Sequence, residues 1–234
     1  MKDNLDSKVI GNRKLILELR FEPIVSVLDK RGGIVESIQK SQVFPSVNWE
    51  ISQSEVLIRD SVDKKKANNF ITVSFNRLSY ISFKVDSVDS YFASFKKIYD
   101  AFLDIVGKLI VTRIGCRIIG SYKVKSNSYD VVFNGFKSLF PSQIFLNNYP
   151  SKDMSFSLVY DNGMYNIGPL NNEDDFYARE FQDRNCDKHV GIAIDTDNYL
   201  TNEKKEINEF SLIQNVYVLS LSVEKDIYGK LCDL

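Results

Sequence analysis

A chain of 234 residues, 44% hydrophobic and 26% charged, can bury one large core or two small ones and has the composition of a globular protein, not of a disordered one. Its formal net charge of −1 gives no general attraction for nucleic acid or acidic membranes, so nucleic acid is expected only indirectly. Three scattered cysteines, Cys116, Cys186 and Cys232, a single His189 and the lack of any run near the ~20 apolar residues of a membrane helix argue against a disulfide framework, a structural zinc site and a membrane span. A cytoplasmic protein without a cofactor is the resulting expectation, and Met1 to Lys8 carries no apolar core of a secretion signal.

Leu15, Leu17, Leu19 and Phe21 alternate with Ile16, Glu18 and Arg20, which is a strand period that Pro23 then weakens. Asp29 is placed to cap a helix over Ile34 to Lys40, and Phe44-Pro45 ends that segment. Two strands follow, Val47 to Ile51 and Val56 to Arg59, then a basic turn at Asp63-Lys64-Lys65-Lys66, which reads as a solvated hairpin tip or as a phosphate site. Phe70 to Val85 reads as strand, with a change of parity near Leu78 that marks a turn or a bulge.

From Val88 onward Tyr91, Phe95, Ile98, Phe102 and Ile105 recur at helical spacing, and Gly107 can stop the helix in a left-handed conformation. Leu109 to Val124 is the most strand-like stretch: Ile110, Thr112, Ile114, Cys116 and Ile118 share one face, and Val111, Arg113, Gly115, Arg117 and Ile119 the other. A helix over Tyr129 to Phe140 and a hairpin of Met154 to Tyr160 with Met164 to Ile167 around Asp161-Asn162-Gly163 come next. Strands at Phe176 to Phe181 and Val190 to Ile194 precede a long helix over Ile207 to Leu231.

The order strand, helix, strands, long helix thus occurs twice. The expected fold class is α+β, a largely antiparallel sheet with long helices packed on one face, built from a duplicated βαβββα unit whose halves, residues 1–108 and 109–234, share one sheet or core. Charge divides with the halves. Residues 1–120 hold 19 Lys+Arg against 14 Asp+Glu, and residues 121–234 hold 11 against 17, so the two could attract each other or present different faces to partners.

Arg113 and Arg117 are the first binding candidates. They lie on one strand face, about 13 Å apart along the backbone, able to hold separate phosphates or one extended anion, with Gly115 leaving room between them; the alternative is pairing with carboxylates of neighbouring strands. Asp195 and Asp197, after a strand, form a weak oxygen-ligand pair for Mg²⁺ or Ca²⁺, with an exposed strand end as the alternative. The acidic run Asn171 to Asp175 reads as a solvated loop. Cys186 with His189 is the only nucleophile and base combination in reach, without an orienting third group, and no GxSxG, GxxxxGK[ST] or GxGxxG is present. No catalytic residue is assigned, and a non-enzyme is the expectation.

Phe21-Glu22-Pro23-Ile24-Val25, Tyr91-x-x-x-Phe95, Arg113-Ile114-Gly115-Cys116-Arg117, Asp195-Thr196-Asp197 and the terminal helix together resemble a sporadic, largely uncharacterised bacterial family of similar length, found near mobile or phage-defence genes, whose central strand reads RIGLRYxN. Cys116, Ile118 and Gly120 stand here where that pattern has Leu, Tyr and Asn. The resemblance implies an antiviral-defence context and brings no reaction with it. Two functions are therefore expected to compete: a partner-binding protein that recognises another protein of its gene cassette, and a sensor of an anionic small molecule or nucleotide held in a sheet-lined cavity. A homo-oligomer is compatible with either.

Overall fold

The computed structural model describes residues 5–85, 87–145, 152–182, 184–206 and 210–234, with the backbone alone for 202–206. At its centre two long strands, β1 (Ile10–Phe21) and β6 (Ile110–Tyr122), run antiparallel, with Leu17 opposite Cys116 and Leu19 opposite Ile114. Their alternation works as a two-sided ruler. Leu15, Leu17, Leu19, Ile114, Cys116 and Ile118 all point to one face and are fully buried. The other strands are β2 (Asn48–Ile51), β3 (Glu55–Arg59), β4 (Asn69–Ser74), β5 (Arg77–Ser82), β7 (Phe156–Tyr160), β8 (Gly163–Leu170) and β9 (Gly191–Glu206). They complete one nine-stranded sheet in the order β2-β3-β4-β5-β1-β6-β9-β8-β7, antiparallel at every pairing.

The chain is an α+β protein. On the apolar face lie α2 (Arg31–Lys40), α3 (Val88–Val106), α4 (Tyr129–Ser138) and α6 (Phe210–Leu231). Ser87 starts α3 by accepting a hydrogen bond from the Ser90 amide at 3.0 Å, and Gly107, at φ +81°, ends it as its sequence suggests. Tyr91, Phe95, Ile98 and Phe102 face the sheet, and Tyr217 of α6 stacks on Phe92 at 5.0 Å between ring centres. Each such ring contributes roughly 1.5–3 kcal/mol by leaving water. Beneath α4 and the second half of α6, Tyr122, Val132, Phe136, Ile192, Ile194 and Ile227 form a second cluster on the same face.

Several sequence expectations are corrected. Phe176 to Phe181 is not a strand but part of α5 (Asp175–Phe181), started by the Asp174 carboxylate, which accepts from the Phe176 amide at 2.8 Å. Phe176, Tyr177 and Phe181 cover Ile119 and Leu170 on the face opposite the long helices. Asp29 does not cap the second helix: it ends a short α1 (Ser26–Asp29), and α2 begins at Arg31 with both Gly32 and Gly33 in its first turn. The stretch Phe70 to Val85 is a hairpin, β4 turning into β5 through Phe75-Asn76. A register shift between Val111 and Arg113 returns Val111 to the helical face while Ile110 stays 42% exposed. The terminal helix begins at Phe210 in the described residues; the expected start at Ile207 lies outside them.

Gly163 is required for a different reason from turn formation. It follows the turn as the first residue of β8, where a Cβ would stand 2.6 Å from the Asp197 carbonyl and 2.7 Å from the Tyr160 hydroxyl.

Candidate functional site

The strand β9 runs to Glu206, far beyond Ile194, so Asp195 and Asp197 sit within a strand and not at its end. Their register with β6 places Asp197 opposite Arg117 and Asp195 opposite Ile119. Arg113, Arg117, Asp195 and Asp197 are thereby gathered on the sheet face that the long helices leave uncovered. Arg117 reaches diagonally to Asp195 in a bidentate pair, Nε to Oδ1 and Nη2 to Oδ2, both at 2.8 Å. That hydrogen-bonded carboxylate holds the Arg117 guanidinium above its usual value.

Arg113 folds back along its own strand. Its guanidinium lies over Gly115, where a Cβ would stand 3.5 Å from the guanidinium carbon, and reaches Asp197 Oδ2 through Nη2 at 3.4 Å. The space that the glycine leaves is thus used by the neighbouring arginine. The same guanidinium stacks on the Tyr199 ring at 4.8 Å and approaches Glu18 of β1 through Nη1 at 3.4 Å. Glu18 also receives Arg20 at 2.7 Å and lies 4.0 Å from Arg77, which pairs in turn with Glu55 at 3.4 Å. Four arginines and four carboxylates, Glu18, Glu55, Asp195 and Asp197, therefore tile the open face from β3 to β9.

Five cavities border the described residues, one of them, of 300 Å³, on the tiled face beside Arg20, Glu55 and Arg77, and neither Arg113 nor Arg117 lines any of the five. Another, of 510 Å³, is polar and lies among Asn12, Asn68, Lys84, Cys186 and Asp187. A third, of 440 Å³, runs from Met154 along β8 to α5 and touches Asp195 and Glu180. A fourth, of 480 Å³, is apolar, between α4, α6 and the β7–β8 hairpin. The arginine side chains are instead 23% and 43% exposed on a surface. Ion pairs this wet contribute about 0–1 kcal/mol each, so the tiling adds little to stability.

At the margin of this face Lys14 pairs with Glu180 of α5 at 2.9 Å. Burial pushes the Glu180 carboxyl up, and the Lys14 ammonium outweighs it, leaving that carboxyl below its usual value.

The other sequence candidates are placed as follows. Among the described residues no group of three or more His, Cys, Asp or Glu could hold a metal ion, and Asp195 and Asp197 each face a guanidinium. His189 is tied into its loop: Nδ1 lies 2.8 Å from the Asp187 carbonyl, and its backbone N–H donates to, and its carbonyl accepts from, the Tyr177 hydroxyl. A carbonyl can only accept, so Nδ1 carries the proton. Cys116 is wholly buried, and burial pushes its thiol up to about 12, which removes it as a nucleophile. Lys64 of the basic turn pairs with Glu50 at 2.8 Å, and Asp174 of the acidic run serves as the cap of α5.

Sequence reasoning missed the partners, Glu18, Glu55, Arg77 and Tyr199, because strand pairing alone brings them to the arginines. It also missed a buried network on the opposite face, where Arg13 and the Tyr122 hydroxyl both bond the carboxylate of Glu224 on α6. Arg13 is 5% exposed and Glu224 not at all, so the pair is held out of water between the two core clusters.

No family model matches the chain, and no curated protein compared with it matches either.

Proposed function

We propose that this protein is a non-enzymatic binding module that docks another protein across the open face of its sheet, with Arg113, Arg117, Asp195 and Asp197 at the centre of the contact. The observation that carries this reading is the position of the two arginines. Both stand on an exposed face with their charges matched by carboxylates, and among the described residues neither lines any of the five cavities, not even the one that Arg20 and Arg77 border on the same face. A rigid strand scaffold holds these charges at set spacings, and such an array gives specificity and steering in protein association. Held by bidentate and stacking contacts, Arg117 and Arg113 lose little side-chain entropy on docking. The setting in a bacterial defence or mobile-element cassette rests on the sequence resemblance alone.

Native mass spectrometry of the protein purified from a host carrying its neighbouring genes tests the reading. A complex with a cassette protein that is lost on Arg117→Glu and kept on Lys65→Glu is the expected result. A bare chain under the same conditions would refute it. A small added mass that disappears in the Arg113→Ala/Arg117→Ala variant would favour the anion or nucleotide sensor instead.

A further inference from the structure

The two edges of the sheet are guarded differently. The β2 edge carries Glu50, whose carboxylate is paired with Arg59 and Lys64, both at 2.8 Å. The β7 edge, Phe156-Ser157-Leu158-Val159-Tyr160, has no charge and no proline, and Val159 is 75% exposed. Exposed sheet edges normally carry such guards, because their free N–H and C=O groups are a template for another strand.

The hairpin geometry says which groups are free. Tyr160 and Gly163 close it across Asp161-Asn162, so Tyr160, Leu158 and Phe156 exchange hydrogen bonds with β8. The backbone N–H and C=O of Ser157 and Val159 therefore point outward, and no described residue bonds them.

We infer that β7 is a self-pairing edge, through which two copies of this chain join their sheets antiparallel about a two-fold axis at Leu158. The edge forms the margin of the arginine-bearing face, toward which Ser157 and Val159 project in line with Asp195 and Asp197. The occupant follows from the pattern of the strand. With Leu158 on the axis, Ser157 of one copy faces Val159 of the other, so the outward groups meet outward groups and make about four backbone hydrogen bonds. An axis centred on Ser157 or on Val159 would keep only one such outward pair, with two bonds, inside the strand, and an axis between two residues would set outward groups against inward ones. On the helical face Phe156 then stands beside Tyr160 of the second copy on both sides of a Leu158 pair, and aromatic and aliphatic cross-strand pairs of this kind favour association. These side chains continue into the 480 Å³ apolar cavity, which Phe156 and Tyr160 already line with Phe140, Tyr165 and Ile227. Pairing the edges covers the mouth of that cavity along with Val159.

Sedimentation velocity and cysteine cross-linking test this together. The native chain is expected to show a concentration-dependent dimer below about 100 µM, a weak association of the size expected for a small interface. Val159→Lys places a charge on the edge and Val159→Pro deletes an N–H that β8 does not use; both are expected to give monomers with unchanged circular dichroism. In a Cys186→Ser/Cys232→Ser background, Leu158→Cys should form a disulfide-linked dimer under mild oxidation, because only a residue on the axis meets itself at about 4.5 Å between Cα atoms. Val159→Cys should link far less. A native chain that is monomeric throughout, a dimer that Val159→Lys leaves intact, or equal linking at both positions would each overturn the proposal.

Discussion

Removing Arg13 strips the buried Glu224 carboxylate of its paired guanidinium. Arg13 is 5% exposed and Glu224 wholly buried, so Arg13→Met leaves a carboxylate in the core with the Tyr122 hydroxyl still beside it. Loss of one partner of a buried pair costs about 3–5 kcal/mol, because the remaining charge keeps its desolvation penalty and loses its compensation. Replacing both, as Arg13→Met/Glu224→Leu, removes the penalty along with the pair and is expected to recover most of that loss. Urea unfolding of the native chain, the two single variants and the double variant completes a thermodynamic cycle, with midpoints converted through a common m value. A single-variant loss under about 1 kcal/mol, or a double variant whose loss equals the sum of the singles, would refute the assignment of a strongly coupled buried pair.

Four further outcomes follow from the same reasoning. Phe102→Ala, at a fully buried position against Phe21, should cost about 3–5 kcal/mol in the same unfolding assay. Ser87→Ala, which removes the cap of α3, should cost about 1 kcal/mol, and Ser87→Gly only a few tenths. Arg117→Ala should change stability by less than about 1 kcal/mol, since the guanidinium is 43% exposed, so any loss of partner capture by this variant reports binding and not unfolding. The Cys116 thiol is raised by burial from 9.0 to about 12, so the unfolded chain releases that proton first; its contribution to stability is complete below pH 9 and is lost as pH rises toward 12. Cys116→Ala should therefore weaken the decline of stability above pH 9 by up to about 1.4 kcal/mol per pH unit, and an unchanged slope would count against a protonated buried thiol.

Local pattern sufficed for much of the architecture. Strict alternation over Leu15 to Phe21 and Ile114 to Ile118, and helical spacing from Tyr91 to Phe102, are properties of the chain itself, since one buried face imposes its period on the residues that fill it. The fold class and the rigid location of Arg113 and Arg117 on a strand were legible on that ground. Short segments were less so. Phe176-Tyr177-Ala178-Arg179-Glu180-Phe181 has aromatic residues suited to either state, and the Asp174 cap decides for helix. Parity failed at Thr112, where an irregular register that no local signal announces returns Val111 to the core.

The candidate site shows the same division. By itself the sequence determined that two arginines share one strand face and that two aspartates stand two residues apart. Tertiary structure alone decided that these are neighbours, because the register of β6 with β9 spans about eighty positions of chain and depends on the pairing of whole strands. The same pairing turned a free cationic pair and an apparent metal site into mutual partners, and it left β7 as an unguarded edge. Side-chain period is a local property of the backbone, whereas the compensation of a charge or the vacancy of an edge belongs to whichever strand comes to lie alongside.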